Sequence, residues 1–398
     1  MTNTPINEPG HSEPGTIESA ENAIELKEVE GLSQAQIVRR RFFRHKGAMV
    51  SLAVLIFIVV LAFSSVGIDF QIFELTVKVA GWWQWTWTEI PASQNRGVPT
   101  LSIIPEFLGG NGIRLGDHPF GQDTVGRDIF AVVMRGTQQS ITIMVIVGLL
   151  ATLIGTVIGA VSAYYRGWVD SVLMRFTDII ITIPVLVVGA VVGRAVGGQG
   201  AFFLALVLGF FVWTGLARLV RAEVLSLRER EFVDAARVAG ASDSRIVFKH
   251  ILPNAIGVII VNTTLLMAAA ILLETGLSFL GFGVTAPDTS LGKIISDNQA
   301  AFNTRPWLFW WPGVFIIAIA LTINFIGDGL RDAFDPRQKR LPSARALAKA
   351  DSGRLARASA EVTTRGAGLQ GDAAMRTFSA RMPDPTGDDA APPKREDR

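Results

Sequence analysis

Residues 231–254 read EFVDAARVAGASDSRIVFKHILPN, a polar stretch between two apolar segments that are each long enough to cross a bilayer. The first nine residues are good helix formers, and Val233, Ala236 and Gly240 share one face at the i, i+3, i+7 spacing of an amphipathic helix. Gly240 is predicted to end this helix, because a residue without Cβ can adopt the left-handed conformation that closes a last turn.

The second half of the stretch predicts another short helix. Ser242 or Asp243 is expected to cap its start, and Pro253 is expected to stop it. Its apolar stripe consists of Ile246, Val247, His250 and Ile251. Two short helices joined at a glycine and held at a membrane surface form a knob that suits docking into the groove of a partner protein.

The composition indicates an integral membrane protein. Of 398 residues, 49% are hydrophobic and only 18% are charged, and the charges cluster between long apolar runs. The formal net charge of +2 is too small to favour nucleic acid as a partner. Cysteine is absent, which excludes disulfides, zinc thiolates and cysteine nucleophiles, and four scattered histidines disfavour a histidine-built metal site.

Hydropathy predicts six spans with both termini in the cytoplasm. The predicted spans are residues 47–68, 139–165, 179–196, 200–219, 255–275 and 307–326. Basic residues flank the first span at positions 32–46, a predicted amphipathic helix, and seven Lys or Arg fall between Arg218 and His250. The positive-inside rule therefore assigns these two regions to the cytoplasm.

The remaining regions follow from this division. Residues 1–31 and 338–398 are polar tails predicted to be disordered, because neither can bury a core. Residues 69–138 form an extracytoplasmic segment, and residues 139–337 form a five-helix core that contains a cytoplasmic loop at 222–254. In this core, Gly155 and Gly159 make a small-xxx-small face for close helix packing, and Pro184 is expected to bend the third span.

The extracytoplasmic segment contains two unusual features. Four tryptophans lie close together, at Trp82, Trp83, Trp85 and Trp87. They are interpreted either as interfacial anchors or as contacts to a substrate or receptor. The GQDTVGRD turn, residues 121–128, offers Asp123, Gly126, Arg127 and Asp128. A tight turn held by its Asp and Gly residues is favoured over a metal site built from His118, Asp123 and Asp128.

Several polar residues fall at membrane depth in the fifth and sixth spans. They are Asn262, Thr263, Glu274 and Asn324. Such residues are candidates for lining a path through the membrane, although polar side chains also bond across helices. For Glu274 the alternative is simple solvation at the interface, because the ends of the span are not fixed by hydropathy.

The polar stretch resembles the "EAA" loop of ABC-importer permeases, whose pattern is Glu-Ala-Ala-x3-Gly-x9-Ile-x-Leu-Pro. Ala235, Ala236, Gly240, Leu252 and Pro253 match it in order, while Asp234 replaces Glu and His250 replaces Ile. We call residues 231–253 the coupling segment. The resemblance implies that Asp234 brings charge to an ATPase groove, that Gly240 makes the sharp turn, and that Leu252 and Pro253 form an apolar seat. Glu231, Ala235 and Ala236 are the other residues expected to couple the chain to the ATPase.

Three further stretches are similar to the dipeptide, oligopeptide and nickel subfamily of these permeases, and specifically to its C-type peptide permeases. They are the GQDTVGRD turn, LETGLSFLGFGV at 273–284 and GDGLRDAFDPR at 327–337. The resemblance implies the type I importer permease fold, in a bacterial inner membrane, with transport of dipeptides or oligopeptides by alternating access. Nickel, glutathione or another small solute is the alternative; peptides are favoured over nickel because the chain has no cysteine thiolate to serve as a soft metal ligand.

The same resemblance implies partners. They are a second homologous permease subunit forming a heterodimer, two cytoplasmic ATPases that use ATP and Mg, and an extracytoplasmic solute-binding protein. The chain has no Gly-x4-Gly-Lys-Ser/Thr motif, so it is expected to bind no cofactor and to be a permease rather than an enzyme. Two other classes of protein are less well supported than a permease. A stand-alone secondary transporter would need matched interrupted helices in two halves, and the sequence shows no such pair. An intramembrane enzyme would need a nucleophile and a base within a span, but no His or Cys lies within a predicted span.

Overall fold

The computed structural model describes residues 34–72, 75–102, 112, 114–196, 200–286 and 288–334, which all lie within one compact unit spanning Met1–Pro336. The tails predicted to be disordered, residues 1–31 and 338–398, lie outside the described residues. The described part is mostly helical.

The elements follow one another in a simple order. They are α1 (Gln34–Arg44), α2 (Lys46–Ser65), β1 (Ile68–Ile72), β2 (Leu75–Val79), α3 (Ile129–Tyr165), α4 (Gly167–Thr182), α5 (Val185–Val196), α6 (Gly200–Val212), α7 (Thr214–Arg228), α8 (Glu231–Val238), α9 (Asp243–Phe279), α10 (Leu291–Asp297) and α11 (Trp307–Phe334).

The start of the described chain follows the prediction closely. The basic helix is α1, and the first span is α2, separated from it by His45. The His45 Nδ1 accepts a hydrogen bond from the Ala48 amide at 3.0 Å and so caps α2. After α2 the strands β1 and β2 form an antiparallel hairpin, with Ile68 paired to Val79. The hydropathy analysis did not predict this hairpin, so the fold is not purely helical.

Helix α3 begins ten residues before the predicted start of the second span. Asp128 is its N-cap and accepts from the Ala131 amide at 2.9 Å. The prediction failed because Arg135 and Gln138 lower the hydropathy of this turn. Both side chains are buried, and the Gln138 amide donates to the carbonyls of Ala62 and Gly67 at 2.8 and 2.6 Å.

The third and fourth predicted spans are both bent helix pairs. Helices α4 and α5 meet at 72°, on either side of Ile183 and Pro184, because proline removes a backbone donor and disfavours helix at the residue before it. Helices α6 and α7 meet at 43° beside Trp213. Residues 166–178 lie between the second and third predicted spans, but all of them except Arg166 belong to α4.

The predicted stop at Pro253 is wrong. Helix α9 runs through Pro253, from Asp243 to Phe279, and contains a π-helical turn at Ile246–Ile251. The wider turn lets the Leu252 amide reach the Val247 carbonyl, and Pro253 lies in the first turn of the following α-helical stretch. The second half of the coupling segment is thus continuous with a membrane-length helix.

The glycine face on α3 packs as predicted, and its partner is α7. A Cβ on Gly159 would lie 2.4 Å from the Ala217 carbonyl oxygen, and one on Gly155 would lie 3.0 Å from the Trp213 carbonyl oxygen. Only glycine permits this approach of the two backbones. Helix α3 also packs against α6 and α9, so it lies at the centre of the bundle.

By length and apolar composition, four helices of the described chain can cross a membrane, or six if each bent pair is one span. The four are α2, α3, α9 and α11. Helix α11 continues to Phe334, beyond the predicted end at residue 326, and the short helix α10 was not predicted. The chain is thus a multi-pass membrane protein.

Candidate functional site

The coupling segment turns at Gly240, as predicted. Helix α8 ends at Val238, and Gly240 follows with φ of +76° in the left-handed region. The Ala241 amide donates to the Ala236 carbonyl and the Gly240 amide donates to the Arg237 carbonyl, both at 3.0 Å. This pair of bonds is a Schellman motif, which satisfies the carbonyls at the helix end.

The base of the segment is buried. Val233, Ile246 and Ile251 are fully inaccessible and pack with Val220 of α7 and Ala163 of α3. The stripe predicted for the second helix is correct, with Val247 also buried and His250 half-buried. On α8 the stripe is shorter than predicted, because Gly240 is exposed.

Polar contacts at the end of α3 fix the segment further. The Tyr164 hydroxyl donates to the Asp243 carboxylate at 2.6 Å, and Arg166 pairs with Glu229 just before α8. Ser242 occupies the N-cap position of α9 with extended backbone, but neither it nor Asp243 makes the predicted side-chain cap. No local pattern predicts the contact between Tyr164 and Asp243, because the two residues lie on different helices.

The motif residues themselves face outward. Glu231, Asp234, Ala235, Gly240 and Pro253 are exposed, whereas Ala236 and Leu252 are half-buried. Among the described residues, Asp234 forms an ion pair with Arg237 alone, at 3.0 Å, and both side chains are at least half exposed. Such a pair contributes less than about 1 kcal/mol to stability, so it leaves the carboxylate open to a partner.

Three large apolar side chains of the segment are also exposed. Val238 is 90% exposed, Phe248 is 63% exposed and Phe232 is 38% exposed. The sequence analysis did not single them out, although each interrupts the polar face of its helix. Exposed apolar side chains beside charged ones are typical of a protein docking surface.

At the GQDTVGRD turn, the Asp123 carboxylate closes the loop. Its Oδ1 accepts from the amides of Val125, Gly126 and Arg127 at 2.8–2.9 Å, and its Oδ2 accepts from Arg127 Nε at 2.7 Å. Gly126 has φ of +107°, which side chains rarely adopt. Both oxygens of Asp123 are thus used inside the turn that the sequence analysis favoured.

Asp128 joins this turn to the helical bundle. Its Oδ1 bonds His118 Nδ1 at 2.9 Å, and its Oδ2 accepts from Trp83 Nε1 and from the Ala131 amide, both at 2.9 Å. Burial raises the pKa of the Asp128 carboxyl above its ordinary value, and the bonds from His118, Ala131 and Trp83 oppose that rise. Within the described residues, no group of three or more His, Cys, Asp or Glu side chains could hold a metal ion.

Three of the four clustered tryptophans pack inside the protein. Trp83 contacts Phe130, Trp85 stacks on His118, and the Arg135 guanidinium lies 5.3 Å from the Trp87 ring. Only Trp82 is largely exposed, at 60%. The cluster therefore holds residues 82–87 against α3, which neither of the two interpretations from sequence anticipated.

The predicted path residues divide into two groups. The amides of Asn262 and Asn324 are half-buried and donate to carbonyls one turn back on their own helices. The Thr263 hydroxyl bonds Thr152 of α3 at 2.8 Å, so it joins two helices. Glu274 is fully buried and bonds Ser140 and Ser278, so it neither lines an opening nor is solvated at an interface in this structure.

Comparison with known proteins gives close relatives. The chain is 34% identical over 324 residues to an oligopeptide transport system permease protein of Haemophilus influenzae, which covers 81% of this chain and 95% of the relative. It is 42% identical over 225 residues to the corresponding Mycobacterium bovis protein, covering 56% and 77%. A solved chain of the MetNI methionine ABC transporter aligns with 51% of this chain and 96% of its own length, at 20% identity and a TM-score of 0.42.

Two family models match as well. Residues 33–68 match the N-terminal transmembrane domain of oligopeptide transport permease C, and residues 155–340 match the binding-protein-dependent transport system inner membrane component. The second match contains the whole coupling segment. The chain therefore belongs to the family of binding-protein-dependent transport system inner membrane components, the permeases of ABC importers.

Proposed function

We propose that this chain is the transmembrane permease subunit of an ATP-driven importer of dipeptides or oligopeptides, and forms half of the translocation path. The observation that carries the proposal is the coupling segment, which presents the exposed Val238, Phe248 and Asp234 on a buried base. Its partner would be a cytoplasmic ATPase that receives the exposed face in a groove.

The packing of the segment suits the transfer of motion. Val233 and Ile251 are inaccessible, and α9 continues from the segment into the bundle without a break. Movement of a docked ATPase would therefore be passed to α9 and, through the cluster with Val220, to α7. Packed helices move as rigid bodies, so this lever would open the path toward one side and then the other.

The wider assembly follows the same proposal. Each bent helix pair counts as one span, giving six, with both termini cytoplasmic in a bacterial inner membrane. The exposed cations Arg39 and Arg44 of α1 and Lys46 at the start of α2 support that orientation. The partners would be a second homologous permease, two ATPases that use ATP and Mg, and an extracytoplasmic solute-binding protein. This chain would bind no cofactor and hydrolyse no ATP.

Peptides are proposed as the solute because relatives in Haemophilus influenzae and Mycobacterium bovis are oligopeptide permeases by name. Asn262 and Asn324 are the polar residues proposed to face the path, since their side chains are half-buried and bond only their own helices. Uptake of labelled tripeptide by the reconstituted importer tests the solute. Uptake of nickel or glutathione with no uptake of peptide would contradict it.

The docking proposal is tested with two matched substitutions of exposed valines. Val238→Asp places a charge on the coupling segment, and Val125→Asp places the same charge on the GQDTVGRD turn, where Val125 is 59% exposed. Each variant is expressed with its ATPases and purified in detergent, and the ATPase recovered per permease is measured. We expect about a tenfold loss for Val238→Asp, because burying an unpaired charge in an apolar contact is costly, and no loss for Val125→Asp. Equal recovery with both variants would overturn the assignment.

A further inference from the structure

Helix α1 carries a dense group of cations directly before the first membrane-length helix. Its sequence, QAQIVRRRFFR, contains four arginines and no acidic residue. Phe43 follows Arg40 by three residues and Arg39 by four, so these side chains share one face of the helix, and Arg44 adjoins them. All four are exposed, Phe43 by 57%. We call Arg39, Arg40, Phe43 and Arg44 the basic face.

The other side of α1 packs on the protein. Phe42 is half-buried, and α1 contacts α11 near its end. A Cβ on Gly329 of α11 would lie 3.5 Å from Phe42 Cε2 and 2.3 Å from the Ala48 Cβ. The His45 Nε2 also lies 3.5 Å from Asp332 Oδ2 of α11. These contacts hold α1 against α11 and leave its basic face turned away from the bundle.

The basic face lies close to the start of the hydrocarbon. His45 has extended backbone and separates α1 from α2, which is long and apolar enough to cross a membrane. Val50 and Phe57 of α2 are each 64% exposed, as expected of side chains that contact lipid. Val50 follows Lys46 by only four residues, which is about 6 Å along a helix. The end of α1 is therefore within about one helical turn of the apolar part of the bilayer.

The charges of the basic face lack counter-charges within the described part of the chain. There, no side-chain hydrogen bond or ion pair involves Arg39 or Arg44. The guanidinium group matches the geometry of a phosphate, and each cation beside an anionic lipid surface strengthens binding by about fivefold. Phe43, exposed among these cations, is the kind of ring that sits favourably at the level of lipid headgroups.

We propose that α1 is a binding surface for anionic phospholipids, in which Arg39 and Arg44 pair with headgroup phosphates and Phe43 inserts beside them. Arginine stems are long enough to lie along the apolar boundary while their charged ends stay at the phosphates. A lipid is favoured over an acidic protein because the basic face adjoins the lipid-exposed side of α2 and combines cations with an exposed ring. The inference concerns the membrane and does not depend on docking of an ATPase.

The first experiment identifies the lipid that lies beside α1 in the full-length chain. The chain has no cysteine, so Gln36→Cys introduces a single thiol at an exposed position of α1, and this thiol carries a bimane label. The labelled chain is reconstituted in phosphatidylcholine nanodiscs that contain nitroxide-labelled phosphatidylglycerol or, at equal mole fraction, nitroxide-labelled phosphatidylcholine. We expect phosphatidylglycerol to quench the label about threefold more strongly, because the cations concentrate it beside α1.

Matched pairs of substitutions show whether the basic face causes this preference. Arg39→Gln with Arg44→Gln should lower the ratio of quenching to about one, because the local attraction is lost. Arg175→Gln with Arg194→Gln removes the same charge from exposed positions of α4 and α5, and it should leave the ratio unchanged. Equal quenching by the two lipids before any arginine is replaced would overturn the proposal. An equal fall in the ratio with both pairs would overturn it as well, because net charge would then explain the preference.

The second experiment separates the charges from the ring. Raising the salt from about 0.1 M to about 1 M shortens the screening length from about 10 Å to about 3 Å, so the preference for phosphatidylglycerol should fall toward one. Phe43→Gln should instead weaken quenching by both lipids and leave their ratio unchanged, because insertion of the ring does not depend on headgroup charge. A preference that persists at high salt would contradict pairing with the headgroups, and unchanged quenching with Phe43→Gln would contradict insertion.

The competing occupant of the basic face is the acidic stretch that precedes α1. Residues 8–30 contain seven glutamates and lie outside the described residues. If this stretch covered the basic face, the two labelled lipids would quench equally at about 0.1 M salt, and the proposal would be wrong. A preference for phosphatidylglycerol that disappears with Arg39→Gln and Arg44→Gln would instead assign the face to lipid.

Discussion

The two ends of the helical bundle use charged motif residues in opposite ways. In the coupling segment, Asp234 is exposed and pairs only with the exposed Arg237. In the GQDTVGRD turn, Asp128 is completely buried and accepts three hydrogen bonds from His118, Trp83 and Ala131. Both aspartates were identified from short sequence motifs, yet Asp128 joins buried elements of the fold whereas Asp234 lies on the surface.

The difference shows how burial separates structural motif residues from those available to a partner. An internal motif has its donors within the chain, so its loss should appear as instability. An exposed motif residue such as Asp234 is bonded by an equally exposed neighbour, Arg237, so its loss should leave stability intact and affect binding. The substitutions below test that distinction, beginning with the largest expected effect.

Asp128→Ala should destabilise the protein most. It would leave Trp83 Nε1, His118 Nδ1 and the Ala131 amide without their acceptor in a buried site, and it would remove the N-cap of α3. The expected cost is about 3–5 kcal/mol, measured as a lower thermal unfolding midpoint in detergent. Asp117→Ala, at an exposed position in the same region, should change the midpoint little. Similar shifts for the two variants would refute the structural role of Asp128.

Gly159→Ala should have the next largest effect. The added Cβ would lie 2.4 Å from the Ala217 carbonyl oxygen, so α3 and α7 would have to separate. Overpacking of this kind costs about 1–3 kcal/mol. Gly215→Ala on α7 is the matched control, because a Cβ there meets nothing within 4 Å and should be neutral or stabilising. Thermal unfolding checks both, and a stable Gly159→Ala protein would contradict the close packing.

Gly240→Ala should weaken ATPase binding more than it weakens the fold. At φ of +76° an alanine is strained by about 1–2 kcal/mol, although a Cβ meets nothing within 4 Å. If the strain opens the turn, ATPase recovery should fall by about fivefold.

Gly281→Ala is a matched control for that loss, with φ of +80° and equally open space outside the coupling segment. It carries the same strain and should leave ATPase recovery unchanged. Equal losses from the two alanine variants would mean that strain anywhere disturbs the assembly, and that the turn at Gly240 has no special part in docking.

Asp234→Asn should change stability least, by less than about 0.5 kcal/mol, because its ion pair is exposed. ATPase recovery should still fall, since the carboxylate lies on the surface proposed to dock the ATPase. Asp297→Asn removes the Lys293–Asp297 pair of α10, whose carboxylate is 47% exposed, and should not alter recovery. A lower thermal unfolding midpoint together with normal ATPase recovery for Asp234→Asn would contradict the distinction, because Asp234 would then stabilise the fold instead of binding a partner.

Local patterns predicted several features well. The left-handed turn at Gly240 and the buried stripe of Ile246 and Ile251 follow from residue type and helical spacing. The glycine face of α3 and the bend at Pro184 follow in the same way. In each case the residues that decide the structure lie within a few positions of one another, so the physical cause is present in the local sequence.

The failures share a different cause. The start of α3 was placed ten residues late because Arg135 and Gln138 are polar, and their partners Asp288 and Gly67 lie far away in the chain. Pro253 was predicted to end a helix, but the π-helical turn before it lets the helix continue although proline has no backbone N–H to donate. Neither the distant partners of Arg135 and Gln138 nor the π-helical turn before Pro253 can be predicted from the identity of these three residues.

The sequence alone determined that this chain is a multi-pass membrane protein with a glycine-turned coupling segment, because hydropathy and backbone freedom are properties of residues and their near neighbours. Only the tertiary structure decided that Glu274 is enclosed while Asp234 is exposed. Ser140, which bonds Glu274, is 134 positions away from it. The environment of a charge is set by whichever side chains the fold brings to it, and that is a long-range property.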